Sequence, residues 1–476
     1  MYEQLSYSIW RMKMKHKRML LLVILVGITA VIVACSRATE PAAEEAIADP
    51  PMATGSEGVG DEPPPPESGE KVKVTRAATE LTFADSATTS DDAASVRSGG
   101  AEEADAPSTE TMNNTEVGGA AEESVGADLT LDQNSHLTAG EVDDNAEWDA
   151  YMQYLDNYQG ASILPVDVSE RHQIWVQDSQ GNPVLGALIN VKADGNSVTT
   201  LRTHSNGRSF FFPRAYTEYS GDFVVEVTVA NQTETFTIPT GTSQREWFVT
   251  HPGAEQTPPE VKLDVLFLID ATGSMSDEIN QLKENIRTIS ARIDALPSQP
   301  NVRFGMVTYR DVDDEYITQV TDFTPKVEDF AEILNLVQAA GGGDYPEDLN
   351  EALSQAVHNP EWRIEETVSL IFLVADAPPH LDYNQQNHYA YELLQAATRG
   401  IKIYPIASSG LDKQGEYIFR QLAQTTGGRF IFLTYGAEGP GSSGTETEFD
   451  VSDYTVSSLD DMVIKIIEEE LAPLTQ

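Results

Sequence analysis

The chain has 476 residues, of which 76 are Asp or Glu and 30 are Lys or Arg, for a formal net charge of −46. That length provides for more than one domain, and the charge opposes binding to nucleic acid or, through the polypeptide itself, to an anionic membrane surface. A single cysteine excludes internal disulfides, zinc ribbons and iron–sulfur clusters.

The first element is a basic stretch, Arg11, Lys13, Lys15, Lys17 and Arg18, followed by an uncharged, mostly apolar run from Leu20 to Ala34. Basic, apolar and small residues in that order describe a secretory signal. The run falls short of the roughly 20 residues a spanning helix needs. It ends in Ile32-Val33-Ala34-Cys35, which resembles the bacterial lipobox. The resemblance implies that residues 1–34 are a lipoprotein signal peptide and that Cys35 is lipidated. The protein would then be exported and held at an envelope membrane, on its periplasmic or cell-surface side. An uncleaved anchor is the alternative, and it too places the rest of the chain outside the cytoplasm.

Residues 36–147 hold 26 acidic and 5 basic residues and one aromatic, Phe83. Such a composition cannot bury enough apolar surface to offset its chain entropy. Residues 35–146 therefore read as a disordered acidic linker, dispensable for folding, reaching roughly 60 Å r.m.s.. Trp148, Tyr151, Met152, Leu155 and Tyr158 then fall on one face of a short helix. Residues 147–164 are this helix and a connector, expected to dock on the next domain.

Within residues 165–252 the period switches to two from Ile174 to Val249, as in Ala187, Ile189, Val191 and in Phe223, Val225, Val227, Val229. Turn signals such as Gln180-Gly181-Asn182-Pro183 and Asp194-Gly195-Asn196 separate the segments. Short strands at this spacing predict a β-sandwich. The stretch from Val176 to Val191, with Thr203-His-Ser-Asn-Gly207, resembles the carboxypeptidase regulatory-like, transthyretin-like domains, which implies a non-catalytic module. His172, His204 and His251 are scattered and share no evident site.

From Val261 to Ile269 runs a nearly continuous apolar strand, the pattern of a buried parallel strand. Further apolar strands are predicted at 302–309, 367–375, 401–407 and 429–433, and helices at 327–340, 346–358, 386–399, 413–425 and 457–471. The alternation predicts a doubly wound, mostly parallel, Rossmann-like α/β sheet over 260–476. Segment 316–323 should form an antiparallel edge hairpin with 302–309.

Ligands of such sheets bind at the C-terminal strand ends. Three polar clusters lie there: Asp270, Thr272 and Ser274; Gly341-Gly342-Gly343-Asp344-Tyr345-Pro346-Glu347; and Asp376 to His380. Carboxylate and hydroxyl oxygens are hard ligands, suited to Mg²⁺, Mn²⁺ or Ca²⁺. The segment resembles the von Willebrand factor type A domain, whose metal-ion-dependent adhesion site opens with Asp-x-Ser-x-Ser. Here that is Asp270-Ala271-Thr272-Gly273-Ser274, and the family's later aspartate corresponds to Asp376. The family's loop threonine falls in the region of Asp344, where this chain departs from the pattern. The resemblance implies a divalent cation, Mg²⁺ foremost, held by Asp270, Thr272, Ser274, Asp344 and Asp376. Asp344 instead caps the helix that begins near Pro346 if it touches no metal. Asp311, Asp313, Asp314 and Glu315 read as a solvated rim. His380 and His388 are either a second metal pair or surface loop residues, the latter favoured.

Together these features imply an envelope lipoprotein that binds a protein ligand through a metal-bound carboxylate, without catalysis and without a small-molecule substrate. A metal-assisted hydrolase is one alternative, although no Gly-x-Ser-x-Gly elbow or cysteine nucleophile accompanies the metal motif. A structural envelope protein whose metal only stabilises the fold is the other.

Overall fold

The computed structural model describes residues 137–254, 260–437, 439, 442–451 and 454–475. The signal segment, Cys35 and the acidic linker as far as residue 136 lie outside them. In chain order, β1 (Thr138–Val142) leads into α1 (Trp148–Asn157). Seven short strands follow: β2 (His172–Gln177), β3 (Leu188–Ala193), β4 (Asn196–Arg202), β5 (Arg208–Phe211), β6 (Phe223–Val229), β7 (Gln232–Ile238) and β8 (Glu246–Thr250). They pair in the orders β5-β2-β8 and β4-β3-β6-β7. Alternation explains why these two sheets share one core. Every second residue turns inward, so Ile174, Val176, Ile189, Val191, Phe211, Val225 and Val227 meet in a single apolar cluster.

The second half alternates strands and helices: β9 (Lys262–Asp270), α2 (Ser276–Asp294), β10 (Asn301–Tyr309), β11 (Thr318–Thr324), α3 (Val327–Leu336), α4 (Leu349–His358), β12 (Thr367–Ala375), α5 (Tyr389–Arg399), β13 (Ile401–Ala407), α6 (Lys413–Thr426), β14 (Phe430–Thr434), β15 (Ser457–Ser458) and α7 (Leu459–Leu471). Among the described residues the sheet order is β11-β10-β9-β12-β13-β14-β1-β15. The strands from β10 to β14 run parallel to their neighbours through β9, β12 and β13. β11 returns antiparallel on β10, as the short link between them requires. Helices cover both faces, which is why the central strands are buried and mainly apolar. Leu263, Val265 and Phe267 face the core shared with α2, α3 and α7, and Leu266 and Leu268 face that of α4, α5 and α6. At the strand-start end, the buried carboxylate of Asp264 is held by Arg303 and Arg363, which donate at 2.8–2.9 Å.

One boundary differs from the sequence reading. The linker was expected to run to residue 146, but β1 inserts between β14 and β15, pairing antiparallel with both. The stretch Thr-Ala-Gly-Glu-Val offers little apolar surface. Ala139 is its buried hydrophobic residue, and the backbone ladder supplies the rest. Gly140 is required where it stands, because a Cβ there would lie 2.6 Å from the Phe432 ring. After β1, Asp144 is buried against the Arg420 guanidinium of α6, with bonds of 2.5 and 3.0 Å. The aromatic face of α1 then packs in two directions. Trp148 stacks near Phe212, beside β5, and Tyr154 stacks on Tyr417 of α6.

Candidate metal centre

β9 ends at Asp270, fully buried between the ends of β10 and β12. The chain turns immediately. Thr272 donates both its backbone N–H, at 2.9 Å, and its hydroxyl, at 2.7 Å, to Asp270 Oδ1. The Thr272 and Ser274 hydroxyl oxygens are 3.5 Å apart. Ser274 also hydrogen-bonds the carboxylate of Asp376, which follows β12. The two aspartates terminate neighbouring strands, and the Thr272–Ser274 turn links them. Ser274 is exposed, so this cluster opens to solvent.

The glycine triplet lies against that turn. Gly341 and Gly342 have φ of +85° and +75°, a region L side chains rarely adopt. Gly341 O accepts from Gly273 N–H at 3.2 Å, and Gly342 N–H donates to Asp314 Oδ2 at 2.9 Å. A Cβ on Gly342 would come within 2.9 Å of Glu347 Oε1 and 3.2 Å of Thr272 Cβ. The loop can lie this close because it lacks side chains.

That packing brings in a residue the sequence reading quoted but gave no role. Glu347 forms an isolated parallel bridge with Pro379 and is 4% exposed. Burial first, then the charges of Asp270, Asp311, Asp314 and Asp376, push its carboxyl up to about 9. Asp270 is pushed up to about 7 by burial; the Thr272 bonds oppose the shift and Asp376 adds to it. Asp376 is likewise raised, chiefly by burial. Glu347 Oε2 is buried without a hydrogen-bond partner, and Asp270 Oδ2 makes no hydrogen bond of normal geometry, the Tyr309 hydroxyl lying near that carboxylate. Clustered carboxylates with orphaned oxygens are unfavourable when ionised, and either a bound proton or a divalent cation would satisfy them. The donor set, all carboxylate and hydroxyl oxygen, fits Mg²⁺, Ca²⁺ or Mn²⁺.

The structure thus gathers Asp270, Thr272, Ser274 and Asp376 and adds Glu347. It places Asp344 apart, with its side chain 62% exposed and Oδ2 4.0 Å from His380 Nε2. Nor is Asp344 the helix cap. α4 starts at Leu349, and the capping carboxylate is that of Asp348, which accepts from Glu351 N–H at 3.2 Å. The Glu347–Pro379 bridge keeps the backbone extended past Pro346 and delays the helix. Two further expectations change. Asp311, read as solvated rim, is 6% exposed, and His380, read as a surface loop residue, is 2% exposed. The Tyr383 ring stacked 3.7 Å over His380 provides part of that cover. His380 is grouped with Asp311 and Asp344, whereas His388 precedes α5 at its N-cap. Nothing in residue type or spacing announces the stacking. Glu347 alone had a local signal, a second acid three residues beyond Asp344.

The mostly parallel sheet ends in this carboxylate–hydroxyl cluster, and that part of the chain matches a known family. Residues 264–435 match the family model of the von Willebrand factor A domain. Among individual proteins, the chain is similar to a putative ariadne-like RING finger protein R811 of Acanthamoeba polyphaga mimivirus, 27% identical over 188 residues, which are 36% of this chain and 18% of that protein. It is also similar to the alpha-protein kinase vwkA of Dictyostelium discoideum, 30% identical over 119 residues, 25% of this chain and 19% of that one. Von Willebrand factor A domain-containing protein 7 of Mus musculus is 34% identical over 114 residues, 24% and 12% of the two chains. The matched segment spans less than a fifth of each of these relatives.

Proposed function

We propose that this protein is an envelope-anchored lipoprotein whose von Willebrand factor A domain binds a partner protein through a divalent cation, Mg²⁺ foremost. The observation that carries the reading is the pair of buried carboxylate oxygens without a hydrogen bond of normal geometry, Asp270 Oδ2 and Glu347 Oε2, beside the hydroxyls of Thr272 and Ser274. Asp270, Thr272, Ser274 and Asp376 would hold the ion. When bound, it supplies a Lewis-acidic position able to accept a carboxylate from the partner. The protein's own residues prepare that position. Thr272 fixes Asp270 through two hydrogen bonds, Ser274 fixes Asp376, and the glycine loop covers Thr272. The exposed Ser274 side is where a ligand would arrive.

The two small sheets serve as a transthyretin-like β-sandwich spacer, and lipidated Cys35 with the acidic linker sets the reach from the membrane. Among the described residues no helix is long and apolar enough to cross a membrane. The kinase and RING finger names belong to much longer relatives, and we read this chain as a binder without catalysis. Capture of envelope proteins on the full chain, with Mg²⁺ or with EDTA, tests the reading. It predicts a partner retained with Mg²⁺, released by EDTA and lost on Asp270→Ala. Retention that ignores both EDTA and the substitution would refute it.

A further inference from the structure

We infer that Asp311, Asp344 and His380 form a second divalent-metal site, of mixed nitrogen and oxygen donors, suited to Zn²⁺ and distinct from the oxygen-only cluster at Asp270. The three residues come from three loops: after β10, ahead of α4 and after β12. One donor atom from each lies within 4.8 Å of the others. His380 Nε2 is 3.4 Å from Asp311 Oδ1 and 4.0 Å from Asp344 Oδ2. Donors at about 2.1 Å from a tetrahedral ion stand roughly 3.4 Å apart. The first pair already has that spacing. Asp344, exposed at the end of a glycine loop, needs only a small adjustment.

What separates this group from an ordinary acidic cluster is the state of its buried atoms. His380 and Asp311 are 2% and 6% exposed, and both His380 Nε2 and Asp311 Oδ1 are buried without a hydrogen-bond partner. Every other polar atom of the two side chains is committed elsewhere. His380 Nδ1 is 2.8 Å from Asp382 Oδ1, which assigns the ring proton to Nδ1 and leaves the Nε2 lone pair facing the cluster. Asp311 Oδ2 accepts from the Tyr383 hydroxyl at 3.1 Å. The Tyr383 ring, 11° from parallel, fixes the imidazole plane. A carboxylate orienting a histidine whose other nitrogen is free is the arrangement found behind metal-bound imidazoles. The competing account is an imidazolium paired with the three aspartates. A charge-assisted hydrogen bond would close to about 2.7–2.9 Å, and the Nε2–Asp311 separation is 3.4 Å.

Imidazole with carboxylates favours Zn²⁺ and its transition-metal neighbours over Mg²⁺ or Ca²⁺. Three protein ligands leave a coordination position open. Glu347 lies between the two sites: its carboxylate is charge-coupled to Asp270 and Asp376 and also to Asp311, and its backbone carbonyl accepts from His380 N–H at 3.2 Å.

The nitrogen donor makes the site separately testable. The full chain, stripped of metal, is titrated calorimetrically with Zn²⁺, and its Cu²⁺-loaded form is examined by pulsed EPR for ¹⁴N coupling. We expect one imidazole coupling and a saturable Zn²⁺ site. His380→Gln should abolish the coupling. Asp344→Asn, at an exposed position where folding is not at stake, should weaken Zn²⁺ at least tenfold. Asp382→Asn should weaken it about 10–100-fold. Asp376→Ala should leave coupling and Zn²⁺ affinity in place, which distinguishes this site from the one at Asp270. No ¹⁴N coupling in the unsubstituted chain, a coupling that survives His380→Gln, or a Zn²⁺ affinity unmoved by Asp344→Asn would each overturn the inference.

Discussion

Replacing Asp144 by Ala should cost more than any change nearby in the acidic segment, because Asp144 is part of the folded structure. Its carboxylate is 2% exposed and takes two bonds from Arg420, itself 5% exposed. Arg420 keeps Glu416 at 3.3 Å and the Asp450 carbonyl at 3.2 Å, but both lie farther than Asp144. Removing one partner of a buried pair costs about 3–5 kcal/mol when the remaining charge has no other partner. Glu416 compensates in part, so about 2–4 kcal/mol is expected here. At about 2–4 °C per kcal/mol for a domain of this size, the melting temperature should fall by roughly 5–15 °C. Denaturant unfolding and thermal melts of full chains measure it. Arg420→Met in the Asp144→Ala background removes the stranded charge and should recover part of the loss. An Asp144→Ala chain within about 0.5 kcal/mol of the original, the usual range for surface changes, would show that the clasp carries nothing.

Three other outcomes follow from the site. A chain truncated to begin at Ala146 lacks β1 and Asp144 and should melt well below the full chain; equal melts would restore the longer linker. Glu347→Gln removes the third buried carboxylate near Asp270 and Asp376; it should weaken Mg²⁺ several-fold while strengthening capture of an acidic ligand, read by calorimetry and by retention. Asp270 is raised to about 7, so the ion-free fold binds a proton there that the unfolded chain releases. Its stability contribution is therefore present at low pH and declines as pH rises from about 4 to about 7. Added Mg²⁺ should offset that decline, with proton release on binding, and Asp270→Asn should lack it; melts across this range with and without Mg²⁺ provide the check.

The mixed sheet was legible because its strands are buried on both faces. Val265 to Ile269 form an unbroken apolar run, and the short link after Tyr309 forces the antiparallel return. Asp270, Thr272 and Ser274 were legible because they are contiguous, and Asp376 because it ends a strand expected beside β9. β1 was not, since a backbone ladder and one buried alanine leave almost no hydrophobic trace. Glu347 was hidden by Asp344 in the same motif. Which of the two turns inward depends on the Pro379 bridge, a contact made by residues more than thirty positions apart. The burial of His380 and Asp311 depends on Tyr383, whose stacking no periodicity records.

The central claim is that the end of β9 holds a divalent cation. Calorimetric titration of Mg²⁺ into the full chain and into its Asp270→Ala and Asp376→Ala variants, each checked for a native melt, addresses it most directly. A saturable site in the unsubstituted chain that both variants lose is the predicted result. Equal Mg²⁺ binding by all three chains would contradict the account.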